Sequence, residues 1–317
     1  MRKAALLYNP DSGGSKQRQR ELESAVSILR AGAVDAALVP TDSPVHAIEE
    51  TRRAIDSGCD TIFACGGDGT IHNIAQELAN SPVALAILPM GTANALAHDI
   101  KLPLNVTAAA KASLQATPRR IALGRVVFAD LQGKRGARYF IVAAGIGVDA
   151  HLFYKLHTGT KQRMGMAAYY AKAWHLWFSY PMPRFVAEYV ETASLAPGRA
   201  EVTELIAVRI RNFGGVVQEL APGASLDRDD MRLVFCRTAS RLAYLAYVTR
   251  GLLRLRWSVP GIDLAHSTSV SCEYTPPTTT SPEQRKIYVE ADGELLGTLP
   301  AEITVVPNAL TLLAPRS

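Results

Sequence analysis

Short apolar runs alternate with helical patterns through the first third of the chain. Between the runs, apolar residues such as Leu22, Val26 and Leu29 recur at the three- and four-residue spacing of an amphipathic helix. Repeated strand–helix–strand units with short connections indicate a doubly wound α/β domain, whose ligands bind at the carboxyl ends of the strands. The predicted strands are residues 4–8, 36–39, 61–65 and 84–88, and the predicted helices are residues 15–31, 44–58 and 70–80.

The pattern changes after Arg125, where short apolar runs follow one another with few helices between them. Many short strands separated by loops are typical of a β-sandwich. We therefore predict a nucleotide-binding α/β domain over residues 1–125 and a β-sandwich domain over 126–317, whose extreme C-terminus could return to the first domain. The predicted strands are residues 126–129, 139–143, 184–190, 204–211, 232–237, 270–274, 286–289 and 302–306, with helices at 164–180 and 240–257.

Composition narrows the class of protein. Hydrophobic residues make up 48% of the chain and charged residues 20%, which argues against extensive disorder. The net charge of +5 suits a phosphate-bearing ligand or an anionic membrane face, but it is too weak for a nucleic-acid partner. The four cysteines form no CxxC pair, and no signal peptide or apolar run long enough to cross a bilayer is visible. We expect a cytoplasmic protein with reduced thiols.

A glycine-rich segment between the third predicted strand and the next helix carries the clearest chemistry. It reads Gly66-Gly67-Asp68-Gly69-Thr70. The glycines allow a sharp turn that exposes N–H groups, and the positive end of the helix points to the same place. An ordinary tight turn is the alternative, but it needs fewer glycines. The segment therefore predicts a phosphate cradle, with Asp68 facing Mg²⁺ or a substrate hydroxyl.

Two further polar loops follow neighbouring strands. Residues 89–94 read PMGTAN after the fourth strand, and residues 9–16 read NPDSGGSK after the first. On its own the PMGTAN segment is also typical of a capped helix start. Because three such loops at successive strand ends share one crevice, they predict a nucleoside triphosphate site. A Walker A loop is absent, and the GxGxxA pattern at 145–150 lacks the acidic residue of a dinucleotide site, so it indicates a turn.

The ordered motifs resemble the diacylglycerol kinase catalytic-domain family, which includes bacterial lipid kinases and sphingosine kinases. The GGDGT segment also occurs in NAD kinases and phosphofructokinases, whereas the ordered set with a C-terminal DGE is specific. The matches are NPxSG at 9–13, Thr41, GGDGT at 66–70, PxGTxN at 89–94, GxGxDA at 145–150, GxxxY at 165–169, Gly214-Gly215 followed by Pro222, and DGE at 292–294 followed by Pro300.

The resemblance implies ATP-dependent phosphorylation of a lipid hydroxyl in a cleft between the two domains, with Mg²⁺ offsetting charge on the phosphates. It implies that Asp292 is the general base, that Asp68 organises metal or water, and that Asp229 and Asp230 mark a structural Mg²⁺ region. The residues it assigns to ATP are Asn9, Pro10, Asp11, Ser12, Gly13, Thr41, Gly66, Gly67, Asp68, Gly69, Thr70, Ile71, His72, Gly91, Thr92, Asn94 and Glu294.

Three departures from the family pattern leave alternatives open. Asn73, Ala95 and Ala122 stand where family members usually carry acids. A nucleotide- and lipid-binding relative without catalysis is therefore one alternative, and an NAD kinase-like nucleotide kinase is the other. The acceptor lipid stays open among diacylglycerol, a sphingoid base and phosphatidylglycerol.

Two segments are candidates for contact with lipid. Residues 240–257 mix Leu, Tyr and Trp with four arginines, which is typical of a basic helix on an anionic membrane surface or of a helix packed on the sandwich with its arginines in solvent. The aromatic residues of 164–180 are typical of core, and an acyl-chain pocket would need the same residues. Peripheral contact with the inner membrane face is therefore expected, and exposed edge strands could pair two copies into a homodimer.

Overall fold

The chain folds into two compact units. A computed structural model describes residues 1–11, 16–151, 180–214, 219–253, 255, 257–275 and 286–315. The first unit contains Met1–Leu123, Asn212–Val216 and Val306–Ser317, and the second contains Gly124–Arg211 and Val217–Val305. Apart from its last residue, Tyr180, the helix predicted over 164–180 lies outside the described residues.

The first unit is built on a parallel sheet. Its strands are β1 (Lys3–Tyr8), β2 (Asp35–Pro40), β3 (Thr61–Gly66) and β4 (Ala84–Pro89), and its helices are α1 (Lys16–Ala31), α2 (Pro44–Asp56), α3 (Asp68–Leu78), α4 (Ala95–Asp99) and α5 (Val106–Gln115). The strand order is β2-β1-β3-β4. Every residue of β3 and β4 is buried, which explains their unbroken apolar runs. All four strands lie within two residues of their predicted positions.

Helix α5 has no counterpart in the predictions. Asn105 caps it by accepting a hydrogen bond of 3.0 Å from the backbone N–H of Ala108. Two of its four buried residues are alanines, Ala109 and Ala110, and the other two are Val106 and Ser113. Because alanine contributes little to a hydrophobic pattern, the periodicity of this helix is weak in the sequence.

Two long strands run from one unit into the other. They are β5 (Thr117–Ala129) and β14 (Glu294–Ala314). The predictions contain only the short pieces 126–129 and 302–306 of them. The end of β14 lies parallel to β4 in the first unit, with Thr311 opposite Ala84 and Leu312 opposite Leu85. Polar residues such as Arg119 and Arg120 interrupt the apolar runs, so both strands look shorter in the sequence than they are.

The rest of the second unit is rich in antiparallel sheet. Its elements are β6 (Arg135–Phe140), β7 (Ala143–Ile146), β8 (Phe185–Glu191), β9 (Pro197–Val202), β10 (Glu204–Val208), β11 (Met231–Cys236), α6 (Arg241–Leu252), β12 (Ile262–Glu273) and β13 (Tyr288–Ala291). The strand order is β13-β7-β10-β11-β12-β8-β9. The buried rings of Phe140, Phe185 and Phe235 belong to one hydrophobic cluster in this unit. Strand β9 was not predicted, because its Pro197-Gly198 start is typical of a turn.

Within the described ranges, no helix has both the length and the apolar character needed to cross a bilayer.

Candidate functional site

The loop after β3 leads directly into helix α3. Gly67 is the N-cap of this helix, with an extended backbone, and Asp68 is its first residue. The positive end of the helix dipole and the first N–H groups of α3 therefore face the carboxyl end of the sheet. At Gly69 a Cβ atom would meet no other atom within 4 Å, so the space beside this glycine is open.

The loops after β3 and β4 meet backbone to backbone. A Cβ atom on Gly91 would lie only 2.4 Å from the Cα atom of Gly67, and the backbone N–H of Met90 donates to the carbonyl of Gly66 at 2.9 Å. Side chains at these two glycines would push the loops apart. The structure therefore explains why both loops contain glycine, independently of any ligand.

Asp68 joins the same two loops through its side chain. Its Oδ1 atom accepts a hydrogen bond of 2.9 Å from the backbone N–H of Ala95, the first residue of α4. The preceding residue, Asn94, has a positive φ of 48° and exchanges two hydrogen bonds with the backbone of Gly91, at 2.9 and 2.8 Å. Asp68 and Asn94 thus hold the loops in place. The contact of Asp68 with Ala95 spans 27 positions, so the local sequence does not predict it.

A cation that the sequence analysis missed lies beside these loops. Arg18, in the first turn of α1, donates from its guanidinium to the carbonyl of Met90 at 3.1 Å. The two residues are 72 positions apart, so no local pattern links them. Arg18 brings positive charge to the PMGTAN loop.

The other residues predicted for ATP fall into three groups. In the loop after β1, Asn9 accepts a hydrogen bond of 2.8 Å from the backbone N–H of Asp11, whereas Ser12 and Gly13 lie outside the described residues. Thr41 is buried, and both its backbone N–H and its hydroxyl donate to the carbonyl of Tyr8, at 2.8 and 3.2 Å. The side chains of Ile71 and His72 are buried on α3, and Thr92 is exposed.

The three departures from the family pattern share one property. Asn73, Ala95 and Ala122 are all buried, with 6%, 7% and 2% of their surfaces exposed. An acid at any of these positions would have to be paired or neutral, because burial of an unpaired charge is costly. The neutral residues found here therefore suit the surroundings that the chain provides.

The DGE motif forms the turn between β13 and β14 in the second unit. Asp292 and Gly293 both have positive φ, of 48° and 81°. The carboxylate of Asp292 accepts three backbone N–H groups, from Ile141 at 2.8 Å, Val142 at 2.9 Å and Ala143 at 3.0 Å. Its two oxygens are therefore strongly engaged in holding the chain between β6 and β7.

Glu294 has a different setting from Asp292. Its carboxylate lies 3.2 Å from the guanidinium of Arg138, and about a third of its side chain, 35%, is exposed. The neighbouring acid Glu290 is buried and accepts a hydrogen bond of 2.9 Å from the backbone N–H of Gly293. In this turn the carboxylate of Glu294 pairs with Arg138, whereas those of Asp292 and Glu290 accept backbone N–H groups.

Three acids of the second unit have pKa values above their ordinary range. Burial raises the pKa of Asp149 to about 7, although the N–H of Ala150 opposes the shift. Burial, and after it the charge of Asp149, raises the pKa of both Glu204 and Glu290. The Asp149 carboxylate packs against Gly145, where a Cβ atom would lie 1.9 Å from its Oδ2. Of these acids, the sequence analysis includes only Asp149, within the GxGxDA match at 145–150.

The predicted structural Mg²⁺ region contains one exposed and one buried acid. Asp229 is exposed, whereas Asp230 is buried and receives two hydrogen bonds from Arg228, at 2.6 and 2.5 Å, and a contact of 3.3 Å from His266. In the part of the chain that the structure describes, no group of three or more His, Cys, Asp or Glu side chains could hold a metal ion. The Asp229 and Asp230 site stays a prediction.

The first unit is an α/β domain in which two glycine loops meet at the carboxyl ends of parallel strands. Residues 3–126 match the model of the diacylglycerol kinase catalytic domain. The resemblance drawn from the motifs is therefore confirmed over these residues.

Relatives extend the match over the whole chain. It is 25% identical to a protein named diacylglycerol kinase from Staphylococcus aureus, covering 99% of this chain and 93% of the relative. The identity to the protein of the same name from Bacillus subtilis is also 25%, with 100% and 97% covered. A crystal structure of a diacylglycerol kinase from Bacillus anthracis superposes with a TM-score of 0.70 at 18% identity, covering 99% of this chain and 96% of that one. The predicted fold class is confirmed.

Proposed function

We propose that this protein is an ATP-dependent lipid kinase that transfers the γ-phosphate to the hydroxyl of a diacylglycerol-like lipid. The observation that carries the proposal is the backbone contact of Gly67 with Gly91, which joins two glycine loops at the N-terminus of α3. Such a cradle fits phosphate oxygens, because backbone N–H groups and the helix dipole favour negative charge. The names of the relatives support a lipid acceptor.

The loop residues have separate tasks in this proposal. The open space at Gly69 lets phosphate oxygens approach the backbone, and the guanidinium of Arg18 adds positive charge beside Met90. Asp68 holds the start of α4 through Ala95, so that both loops keep their positions when ATP binds. Mg²⁺ usually binds through substrate phosphates and one or two carboxylates, and Asp68 is the carboxylate in this cradle. The metal would neutralise charge on the phosphates during transfer.

The DGE turn supplies the proton acceptor. The carboxylate of Asp292 accepts three backbone N–H groups, so both of its oxygens already hold the turn in place. Glu294 is half-buried, like Asp292, and its carboxylate pairs with the guanidinium of Arg138. These contacts favour Glu294 as the base that receives the proton of the lipid hydroxyl, and Asp292 as the residue that positions the turn. Asp292, the base implied by the family resemblance, is retained as the rival for this role.

Phosphate transfer from labelled ATP tests the proposal. The acceptors are diacylglycerol, sphingosine, ceramide and phosphatidylglycerol in mixed micelles, with NAD⁺ as a soluble acceptor and Mg²⁺ throughout. We expect labelling of one lipid. Labelling of NAD⁺ alone would assign the protein to the NAD kinase type, and ATP binding without transfer to any acceptor would indicate a non-catalytic relative.

The same assay separates the two candidate bases. Glu294→Gln should lower kcat by about a hundredfold or more while leaving the thermal unfolding midpoint unchanged, since general bases commonly contribute that much. An active Glu294→Gln enzyme, together with a folded but inactive Asp292→Asn enzyme, would return the role of base to Asp292.

A further inference from the structure

A buried arginine contacts the segment where the family resemblance implies structural Mg²⁺. Arg209 follows the last residue of β10, and none of its surface is exposed. One Nη atom of its guanidinium donates to the carbonyl of Arg228 at 2.8 Å and to the carbonyl of Asp230. Because arginine stays charged at neutral pH, a fixed positive charge holds the main chain of residues 228–230.

Strand register explains why Arg209 reaches this segment. Val208, the last residue of β10, lies opposite Arg232 of β11. Asp230 directly precedes β11, so Arg209 and Asp230 lie at the same end of two paired strands. The backbone N–H of Arg209 donates to the carbonyl of Val142 at 2.9 Å, which also ties Arg209 to the chain just before β7.

The carboxylate of Asp230 is engaged on both of its oxygens. Arg228 donates to them from Nε at 2.6 Å and from Nη2 at 2.5 Å, and Nδ1 of His266 lies 3.3 Å from Oδ1. Such bidentate pairs of arginine and carboxylate combine strength with a fixed geometry. A metal ion that used this carboxylate would first have to displace Arg228.

The donors of this segment therefore do not fit the Mg²⁺ that the resemblance implies. Mg²⁺ requires oxygen ligands in a nearly ideal octahedron. The carboxylate of Asp230 and the carbonyls of Arg228 and Asp230 are already bound by guanidinium groups. Asp229, the other predicted ligand, is exposed. A divalent cation at this place would also be repelled by the charges of Arg209 and Arg228.

We propose that Arg209 and Arg228 take the place of the structural Mg²⁺ in this chain. Arg209 joins two main-chain carbonyls, as a metal ion ligated by both would, and Arg228 balances the charge of Asp230. The segment at 228–232 is thereby held by guanidinium groups, and the second unit is stable without a divalent cation at this place. The inference goes beyond the proposed function, because it concerns folding and is separate from any Mg²⁺ that accompanies ATP.

Hydrogen exchange of the full chain tests the proposal, with neither nucleotide nor lipid present. Exchange is compared in excess EDTA and in Mg²⁺, and it is read from peptides that cover residues 221–236. We expect the same exchange rates in both solutions. Slower exchange of these peptides in Mg²⁺ would overturn the proposal, whereas an effect of Mg²⁺ confined to the loops of the first unit would support it.

Arg209→Met removes the buried guanidinium, and Arg211→Met is its matched control. Arg211 is exposed and donates to the hydroxyl of Ser225 in the same segment at 3.4 Å. Arg209→Met should speed exchange of residues 221–236 by about tenfold or more, in EDTA and in Mg²⁺ alike, because two carbonyls lose their donor. The control should exchange like the unaltered protein. Unchanged rates in Arg209→Met, or an equal change in the control, would overturn the proposal.

Arg228→Gln tests the second guanidinium and provides a separate test if Arg209→Met does not fold. Its control is Arg237→Gln, since the side chains of Arg228 and Arg237 are 45% and 46% exposed. Their partners differ, because Asp230 is 4% exposed and Asp263 is 57% exposed. Arg228→Gln should lower the thermal unfolding midpoint by about 3 °C or more, since a buried carboxylate loses its partner. The control should shift the midpoint by less than about 1 °C. An unchanged midpoint in Arg228→Gln, or an equal fall in the control, would contradict the proposed role of Arg228.

Discussion

At Gly67 and Gly91, the absence of a Cβ atom allows the two loops of the candidate cradle to touch. Their backbones approach so closely that a Cβ atom on Gly91 would meet the Cα atom of Gly67 at 2.4 Å, whereas a Cβ atom on Gly69 would meet nothing within 4 Å. The first contact is backbone against backbone, so it cannot be relieved by rotating a side chain. The fold therefore requires glycine at position 91, whereas packing does not require it at position 69.

Gly91→Ala should lower the free energy of unfolding by about 1–3 kcal/mol, as overpacking usually does, and weaken ATP binding. Gly69→Ala is the matched control for the fold and should leave the unfolding midpoint unchanged or slightly raised, since alanine favours the first turn of α3. Chemical denaturation and ATP titration measure both effects. Weaker ATP binding in the stable Gly69→Ala protein would place phosphate beside this residue, and an unstable one would contradict the open space described above.

Asp292 and Glu294 differ in what their carboxylates hold. Asp292→Asn replaces one acceptor oxygen with a donor that faces backbone N–H groups, so it should lower the free energy of unfolding by about 1–3 kcal/mol. Glu294→Gln should change stability by less than about 0.5 kcal/mol, because partly exposed ion pairs contribute little. Urea denaturation of the two variants checks the difference. Equal stability of the two variants would contradict the positioning role of Asp292.

At the scale of elements, the end of β14 completes the sheet of the first unit. Leu310 and Leu312 are fully buried, and Leu312 lies opposite Leu85 of β4. Arg120 reinforces this strand by donating to the carbonyls of Ser81 and Asn308 and to the hydroxyl of Thr311. A strand from the far end of the chain is thus part of the core of the first unit.

Leu312→Ala should lower the free energy of unfolding by about 2–5 kcal/mol, because it leaves a cavity in a packed interior. Leu104→Ala is the control, since Leu104 is 47% exposed, and its effect should stay below about 0.5 kcal/mol. Hydrogen exchange should locate the loss of protection in β3 and β4. Unchanged protection of these strands would mean that the sheet of the first unit is stable without β14.

For the whole molecule, the buried acids make stability depend on pH. Asp149 binds a proton up to about pH 7 in the folded chain, whereas its ordinary pKa is 3.8. The folded state therefore binds more protons than the unfolded state between these values, so this contribution to stability is complete at low pH and is lost as pH rises through about 7. The raised pKa values of Glu204 and Glu290 likewise make the free energy of unfolding decrease as the pH rises.

We expect the free energy of unfolding to decrease as the pH rises from 5 to 8. The decrease should be at most about 1.4 kcal/mol per pH unit for each such group. Asp149→Asn should flatten this dependence, and Asp35→Asn, at an exposed acid, should leave it unchanged. Thermal unfolding at a series of pH values measures the slope. A steeper or unaltered slope in Asp149→Asn would contradict the raised pKa of this carboxyl.

The sequence by itself determined the α/β class, the four parallel strands and the positions of the three loops, because apolar periodicity and glycine act on neighbouring residues. Only the tertiary structure decided the partners of these loops. Asp68 meets Ala95, Arg18 meets Met90 and Asp292 meets Ile141 across long stretches of chain. The raised pKa of Asp149 likewise arises from burial. Such contacts follow from packing, which places side chains by the geometry of whole elements and not by their order in the sequence.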